Sequence, residues 1–234
     1  MPYAIITGAT QGIGRAVAER LLKEGFSIAI CARNKNDLEI LQEIWNEQYP
    51  TASIIVYNAD LGNKDEVIAF AGLVLSNFPK IDLLVNNAGI YFPGTIANEP
   101  DENLEKLMAV NLYSAYNLTR QLLPVMKKEK SGHIFNMCSI ASLKAYENGG
   151  SYSITKYALM GFSENLREEL KPDNIKVTAL CPGATYSRSW QDSGISPERI
   201  MEANDIANML WAAYTLSAQA DVETIVMRPL KGDV

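Results

Sequence analysis

Tyr152 and Lys156, four residues apart, are the first pair in this sequence able to move a proton. On a helix that spacing sets both side chains on one face, about one turn apart. A free phenol titrates near pH 10 and carries protons poorly at neutrality. An adjacent ammonium favours the phenolate, lowers that value and yields a group that can give or take a proton near the working pH. By itself a Tyr-x-x-x-Lys pair is weak evidence; its setting has to add to it.

A second constellation suits phosphate. Thr7-Gly8-Ala9-Thr10-Gln11-Gly12-Ile13-Gly14 follows a short apolar run and opens a helical pattern. Glycines there allow a tight turn and let the backbone approach a pyrophosphate, whose charge is favoured at a helix N-terminus. Three spaced glycines alone mean little, but this position between a first strand and a first helix makes the signal much stronger. In NAD-binding units an acidic residue about 20 positions further on holds the ribose 2′-hydroxyl. Here the second apolar run ends Ile30-Cys31-Ala32-Arg33-Asn34, and no carboxylate is present. The planar fork of Arg33 matches a 2′-phosphate, with Asn34 beside it, so the segment favours NADP(H) over NAD(H). The competing explanation is an ordinary surface arginine on a loop.

The elements that must position these groups alternate along the chain. Brief apolar runs at 3–7, 27–32, 53–58, 81–86, 133–138, 176–181 and 224–227 read as strands covered on both faces. Helical patterns lie between them at 12–24, 36–48, 64–78, 102–128, 151–170 and 205–217. In the second of these, Leu38, Leu41, Ile44 and Trp45 form one apolar stripe, and Pro172-Asp173 ends the fifth. Strict alternation predicts parallel strands joined by right-handed crossovers, an α/β doubly wound sheet of about seven strands with helices on both faces. The 234 residues are expected to form one domain, 1–234, since no linker or repeat divides them.

Composition removes several partners. The chain is 47% hydrophobic and 21% charged, with a net charge of −6 and no Lys/Arg cluster, which argues against nucleic acid. No apolar run approaches the roughly 20 residues that span a bilayer, and residues 1–7 lack the pattern of a signal peptide. Cys31, Cys138 and Cys181 are odd in number and lie in or at the ends of apolar runs, as reduced thiols of a cytoplasmic protein would. Their spacing matches no zinc site, so no metal is expected. His133, the lone histidine, opens a strand and is expected to be structural.

Taken in order, several separated motifs resemble the short-chain dehydrogenase/reductase family, with its Rossmann-type fold, over essentially the whole chain. They are the T-G-x-x-x-G-x-G turn, Asp60-Leu61, Asn86-Asn87-Ala88-Gly89, Asn111, Ser139, Tyr152-Ser153-Ile154-Thr155-Lys156 and Pro182-Gly183. Ser139 precedes Tyr152 by 13 residues, the spacing usual in that family. The resemblance implies an oxidoreductase in which Tyr152 exchanges the proton and Ser139 hydrogen-bonds the substrate oxygen as charge develops on it. Lys156 would also hold the nicotinamide ribose, and Asn111 a water linking Lys156 to solvent. Asp60, beside Leu61, would accept from the adenine amino group, unless it is merely a turn residue. Asn87, Ala88 and Gly89 would pass beneath the adenosine ribose, with Val110 alongside. Pro182, Gly183 and Thr185 would line the nicotinamide, and Ser187 would lie near its amide or the phosphates. Asn86 is expected to brace a strand end. The long fourth and fifth helices often pair between subunits in the family, which implies a homodimer or homotetramer.

Substrate choice should reside in loops at the carboxyl ends of the strands. Residues 184–202, with Tyr186, Trp190 and Ile195, are the candidate cover; Tyr91, Phe92 and Pro93 form an opposing wall; Leu143 and Tyr146 complete the pocket. That lining suits an apolar or aromatic carbonyl or alcohol better than a highly charged one. The ending 223–233 and the stretch 182–187 look more like sepiapterin-reductase-like and carbonyl-reductase members than like 3-oxoacyl-carrier-protein reductases, which remain the alternative. A reading from another class, a non-catalytic NADP(H) sensor, would be favoured by loss of Tyr152 or Lys156, and both are present.

Overall fold

The computed structural model describes residues 1–187, 190 and 194–233. Seven strands form one wholly parallel sheet: β1 Tyr3–Thr7, β2 Ser27–Ala32, β3 Ile54–Asn58, β4 Leu83–Asn86, β5 Gly132–Met137, β6 Ile175–Pro182 and β7 Thr224–Met227. Their order is β3-β2-β1-β4-β5-β6-β7. The direction of winding reverses between β1 and β4, and in open sheets ligands bind at the carboxyl edge at such a point. The glycine turn leaves β1 there.

The seven helices are α1 Gly12–Lys23, α2 Lys35–Gln48, α3 Lys64–Asn77, α4 Asn103–Met108, α5 Ser114–Glu129, α6 Gly150–Leu170 and α7 Ala203–Tyr214. Alternate strand residues divide between two cores, as a period of two requires. Ala4, Ile6, Ile28 and Ile30 pack with α1, α2 and α7 on one face. Ile5, Ala29, Cys31 and Leu84 pack with α3, α5 and α6 on the other. Trp45, Leu38 and Leu41 dock α2, each buried side chain contributing roughly 2 kcal/mol. Ile44 does not join them. It is 39% exposed, because at 100° per residue it lies too far round from Leu38 and Trp45.

The sequence pattern at 102–128 reads as one helix, but the structure divides it. Between α4 and α5 the residues Ala109–Tyr113 form a single π-helical turn. A π-turn inserts one residue into the helix, so the side chains on either side change register, and such turns recur at functional positions. Asn111 sits at its centre. Elsewhere the differences are confined to ends: the last helix runs 203–214 rather than 205–217, and the fourth strand begins at Leu83. After α6, Lys171–Asp173 forms a 3₁₀ turn closed by Asn174 in the left-handed region at φ 55°, so Pro172 and Asp173 do stand at the stop. Within 182–202 the chain is not wholly irregular, since Thr185 bridges to Met201 and Pro197–Arg199 makes a short 3₁₀ turn.

Candidate active site

The glycine turn is held from both sides. Gly8 takes φ +66°, and its carbonyl and that of Thr7 accept from Asn87 Nδ2 at 3.0 and 2.8 Å. In return Thr7 Oγ1 accepts from the backbone N–H groups of Asn87 and Ala88, at 3.0 and 2.9 Å. The end of β4 is thereby tied to the end of β1. A Cβ on Gly14 would lie 2.4 Å from both Asn87 Nδ2 and Gly8 O, so only glycine lets α1 start this close. Gln11, the N-cap of α1, makes no side-chain cap bond, which leaves first-turn N–H groups able to receive an anion.

Across the switch point, α6 presents Tyr152 and Lys156. The Lys156 ammonium lies 5.7 Å from the centroid of the Tyr152 ring and donates to Met137 O at 2.7 Å, at the carboxyl end of β5. The lysine is 4% exposed. Ser139 caps the short turn Ile140–Ser142: its Oγ accepts from Ala141 N at 3.1 Å, and its N–H donates to Ser142 Oγ at 3.1 Å. That reciprocal box fixes the serine rotamer at the cavity wall. Asn111 lies just beneath. Its amide donates to Ile90 O and Thr155 Oγ1, both at 3.0 Å, and accepts from Ile90 N at 2.8 Å. It thus joins the π-turn, the segment after β4 and the catalytic helix.

Every other residue singled out as catalytic or cofactor-binding lines one cavity of about 1590 Å³. Gly8, Thr10, Gln11, Gly12, Ile13 and Gly14 form one end, with Arg33, Asn34, Asp60 and Leu61 beside them. Asn87, Ala88, Gly89 and Val110 form the floor, and Ser139, Tyr152, Lys156, Pro182, Gly183 and Thr185 the other end, whereas Ser187 lies against the glycine turn, its Cβ 3.1 Å from where a Cβ on Gly12 would stand. Asp60 is also a turn residue, its Oδ1 accepting from Gly62 N at 2.9 Å. Among the described residues Arg33 forms no ion pair. Asn86 is a brace, its amide donating to Asn136 Oδ1 at 2.8 Å and Thr119 Oγ1 at 3.1 Å.

These residues fit a dinucleotide. The volume exceeds the 300–1,000 Å³ common for a single small ligand. A glycine cradle that any Cβ would fill lies at one end, and the Arg33 guanidinium lies beside it.

The carbonyl end departs from expectation in composition. Tyr91, Phe92, Tyr146 and Trp190 line it, whereas Pro93, Leu143, Tyr186 and Ile195 do not. The charged residues Lys144, Glu147, Arg228 and Asp233 also line the cavity. The last two arrive because Arg199 clamps the chain end, donating to Gly232 O at 2.9 Å, Asp233 O at 3.0 Å and Lys231 O at 3.3 Å. Arg228 and Asp233 then pair with each other. No local pattern marks these residues, since the contact depends on how a tail folds back. Of the candidate cover 184–202, residues 188, 189 and 191–193 lie outside the described residues.

The sequence profile of the short chain dehydrogenase family matches residues 2–196. The chain belongs to that family. It is an oxidoreductase by that membership. A sepiapterin reductase of Chlorobaculum tepidum is 30% identical over 239 residues, covering 98% of this chain and 97% of that one. An alcohol dehydrogenase from the archaeon Thermococcus sibiricus, solved with 5-hydroxy-NADP, superposes with a TM-score of 0.91 at 25% identity, covering 100% and 99% of the two chains. A metagenomic short-chain oxidoreductase in complex with NADP gives 0.84 at 30% identity, covering 97% and 96%.

The lone histidine and the three cysteines are buried in this short-chain dehydrogenase, Cys138 at the wall of the cavity. His133 is buried, its Nε2 2.8 Å from Thr178 Oγ1 and its ring 4.0 Å from that of Phe135. Burial first, then the Lys176 charge, lowers its pKa to about 3 and keeps the imidazole neutral. Cys31, Cys138 and Cys181 are free and buried, and burial pushes the Cys31 thiol up to about 12. Among the described residues no three His, Cys, Asp or Glu side chains converge as metal ligands, and no helix is long and apolar enough to cross a membrane.

Proposed function

We propose that this protein is an NADP(H)-dependent reductase of a small ketone or dicarbonyl, working reversibly on the corresponding alcohol. The observation that carries the reading is the buried Lys156 ammonium 5.7 Å from the Tyr152 ring, in one cavity with Ser139 and the glycine turn. The bound dinucleotide supplies or receives the hydride. As hydride reaches the carbonyl carbon, negative charge grows on the oxygen. Ser139 Oγ donates a hydrogen bond to that oxygen, and Tyr152 Oη–H delivers the proton that makes the alcohol. Lys156 holds the nicotinamide ribose and keeps a positive charge near the phenol, while Asn111 supports it from below through Thr155 and Ile90.

Arg33 at the adenosine end supports NADP(H) over NAD(H), and so do the NADP complexes among the structural relatives. The sepiapterin reductase relative, together with the aromatic wall of Tyr91, Phe92, Tyr146 and Trp190, supports a sepiapterin- or carbonyl-reductase-like substrate. We place the chain as one catalytic domain, 1–234, in a homodimer or homotetramer in the cytoplasm. Exposed Tyr116, Ile154 and Tyr157 on α5 and α6 support that self-association, and three buried free thiols support a reducing compartment.

An NADPH-oxidation screen over pterin side-chain ketones, aromatic diketones, ketoacyl thioesters and simple sugars tests this directly. With the best substrate, Tyr152→Phe is expected to lower kcat by about 10³-fold or more while NADPH affinity stays within about twofold. Near-normal turnover in that variant, or NADPH binding with no turnover across the panel, overturns the reading.

A further inference from the structure

The helix that carries Tyr152 lacks a cap of its own. Gly149 stands at the N-cap of α6 and makes no side-chain cap bond, and the next two residues are Gly150 and Ser151. The capping group comes instead from 52 residues upstream. Glu99, in the segment between β4 and α4, accepts from Ser151 N through Oε2 at 3.3 Å and from Ser151 Oγ through Oε1. A carboxylate at this place satisfies an N–H group that α6 leaves open and lies favourably at the positive end of the helix.

The same segment is fastened at two further points. Gly94 N donates to Asn148 O at 3.0 Å. The ring of Tyr91 meets that of Tyr152 edge-on, with centroids 4.9 Å apart. Gly150, at φ +35°, makes this approach possible, since a Cβ there would lie 2.5 Å from Gly94 O and 3.0 Å from Glu99 Oε2. The wall at Tyr91 and Phe92 and the start of α6 are therefore joined at three points.

We propose that Glu99 is a positioning residue: by capping α6 from the substrate wall, it sets where the Tyr152 hydroxyl stands relative to a carbonyl resting against Tyr91 and Phe92. The inference rests on the reductase reading of the same site. Glu99 is not among the residues that line the cavity, so its removal should disturb the proton-transfer geometry and leave dinucleotide binding alone. Small displacements of a reacting group cost turnover steeply, by up to about 10²-fold for 1 Å.

The test compares Glu99→Ala, Glu99→Gln and Ser151→Ala with the wild type and with Tyr152→Phe, measuring kcat, KM, NADPH affinity and Tm. Glu99→Ala is expected to lower kcat by about tenfold with NADPH affinity within about twofold. Glu99→Gln should restore kcat to within about threefold, because the amide oxygen still accepts from Ser151 N and the amide nitrogen can donate to Ser151 Oγ. A general packing role would instead lower Tm without a selective loss of kcat. A folded Glu99→Ala with wild-type kcat overturns the proposal. Should that variant fail to fold, Ser151→Ala decides: it loses only the hydroxyl contact, and an unchanged kcat overturns the proposal while a fall of about threefold supports it. If Tyr152→Phe retains activity, the reductase reading falls instead; if Tyr152→Phe is inactive and Glu99→Ala is normal, only the capping proposal falls.

Discussion

The two ends of the cavity are built by different means. The dinucleotide end is made of strand termini and backbone: Gly8 follows β1 directly, Gly14 lies in the first turn of α1, Arg33 follows β2, and Asn87 follows β4. The carbonyl end is assembled from segments far apart in sequence, namely 90–92, 139–147, 184–185, Trp190, and Arg228 with Asp233. Backbone geometry leaves little room for change, since a misplaced Cβ collides with main chain. Side chains on loops can be exchanged while the scaffold holds. A common ligand is therefore expected at the first end and a particular one at the second.

The sharpest way to break this contrast is to add one methyl group at the backbone-built end. Gly14→Ala would place Cβ 2.4 Å from Gly8 O and Asn87 Nδ2, and the oxygen belongs to main chain that cannot rotate away. We expect NADPH affinity, read by fluorescence titration, to fall by about 10²-fold or more, with turnover falling alongside. Affinity within a factor of three would mean that the turn yields, and that the rigidity assigned to it is wrong. A smaller change tests chemistry at the same end. Arg33→Asp replaces a guanidinium suited to a 2′-phosphate with a carboxylate suited to a 2′-hydroxyl. The NADPH/NADH ratio of kcat/KM should fall by about 10²-fold, the worth of two charge-assisted hydrogen bonds and an added repulsion. An unchanged ratio removes Arg33 from cofactor selection.

The same contrast explains what could be read from the sequence. The glycine turn and Arg33 sit at fixed distances from strand ends, so period and spacing locate them, whereas Asp60 and the Tyr152–Lys156 pair stand out through the ordered set of motifs that resembles the family. The π-turn at Asn111 leaves no such mark, because one inserted residue hardly disturbs the apolar pattern of a helix running from 102 to 128. Ile44 lies next to Trp45 in sequence yet points to solvent, so adjacency in the chain overstates its share in the α2 stripe. Glu99 and Arg199 act on residues 52 and more than 30 positions away, across contacts that only the fold brings together. Loop apolar residues are half legible: Tyr91, Phe92, Tyr146 and Trp190 line the cavity, whereas Pro93, Leu143, Tyr186 and Ile195 do not. Their side chains obey no strand or helix period that would fix a direction.

The smallest effect is expected at the loop-built end, where the tail closes the cavity. Arg199 holds three successive carbonyls of residues 231–233, and Asp233 reaches back to Arg228 and to Gly183, whose Cβ would lie 3.2 Å from the aspartate oxygen. These bonds are solvent-exposed, so each is worth only about 1 kcal/mol. Arg199→Ala should free the tail without unfolding the sheet, since β7 pairs with β6 independently of it. With a wall of the carbonyl end loosened, KM for the ketone should rise about five- to tenfold, matching a loss of 1.0 to 1.4 kcal/mol of binding by the usual conversion, roughly. NADPH affinity should move less than KM does, because the glycine turn and Arg33 lie at the opposite end of the cavity. Equal changes in both would show that the tail supports the dinucleotide through Gly183 rather than the substrate, and no change in either would show that Arg228 and Asp233 border the cavity without shaping what enters it.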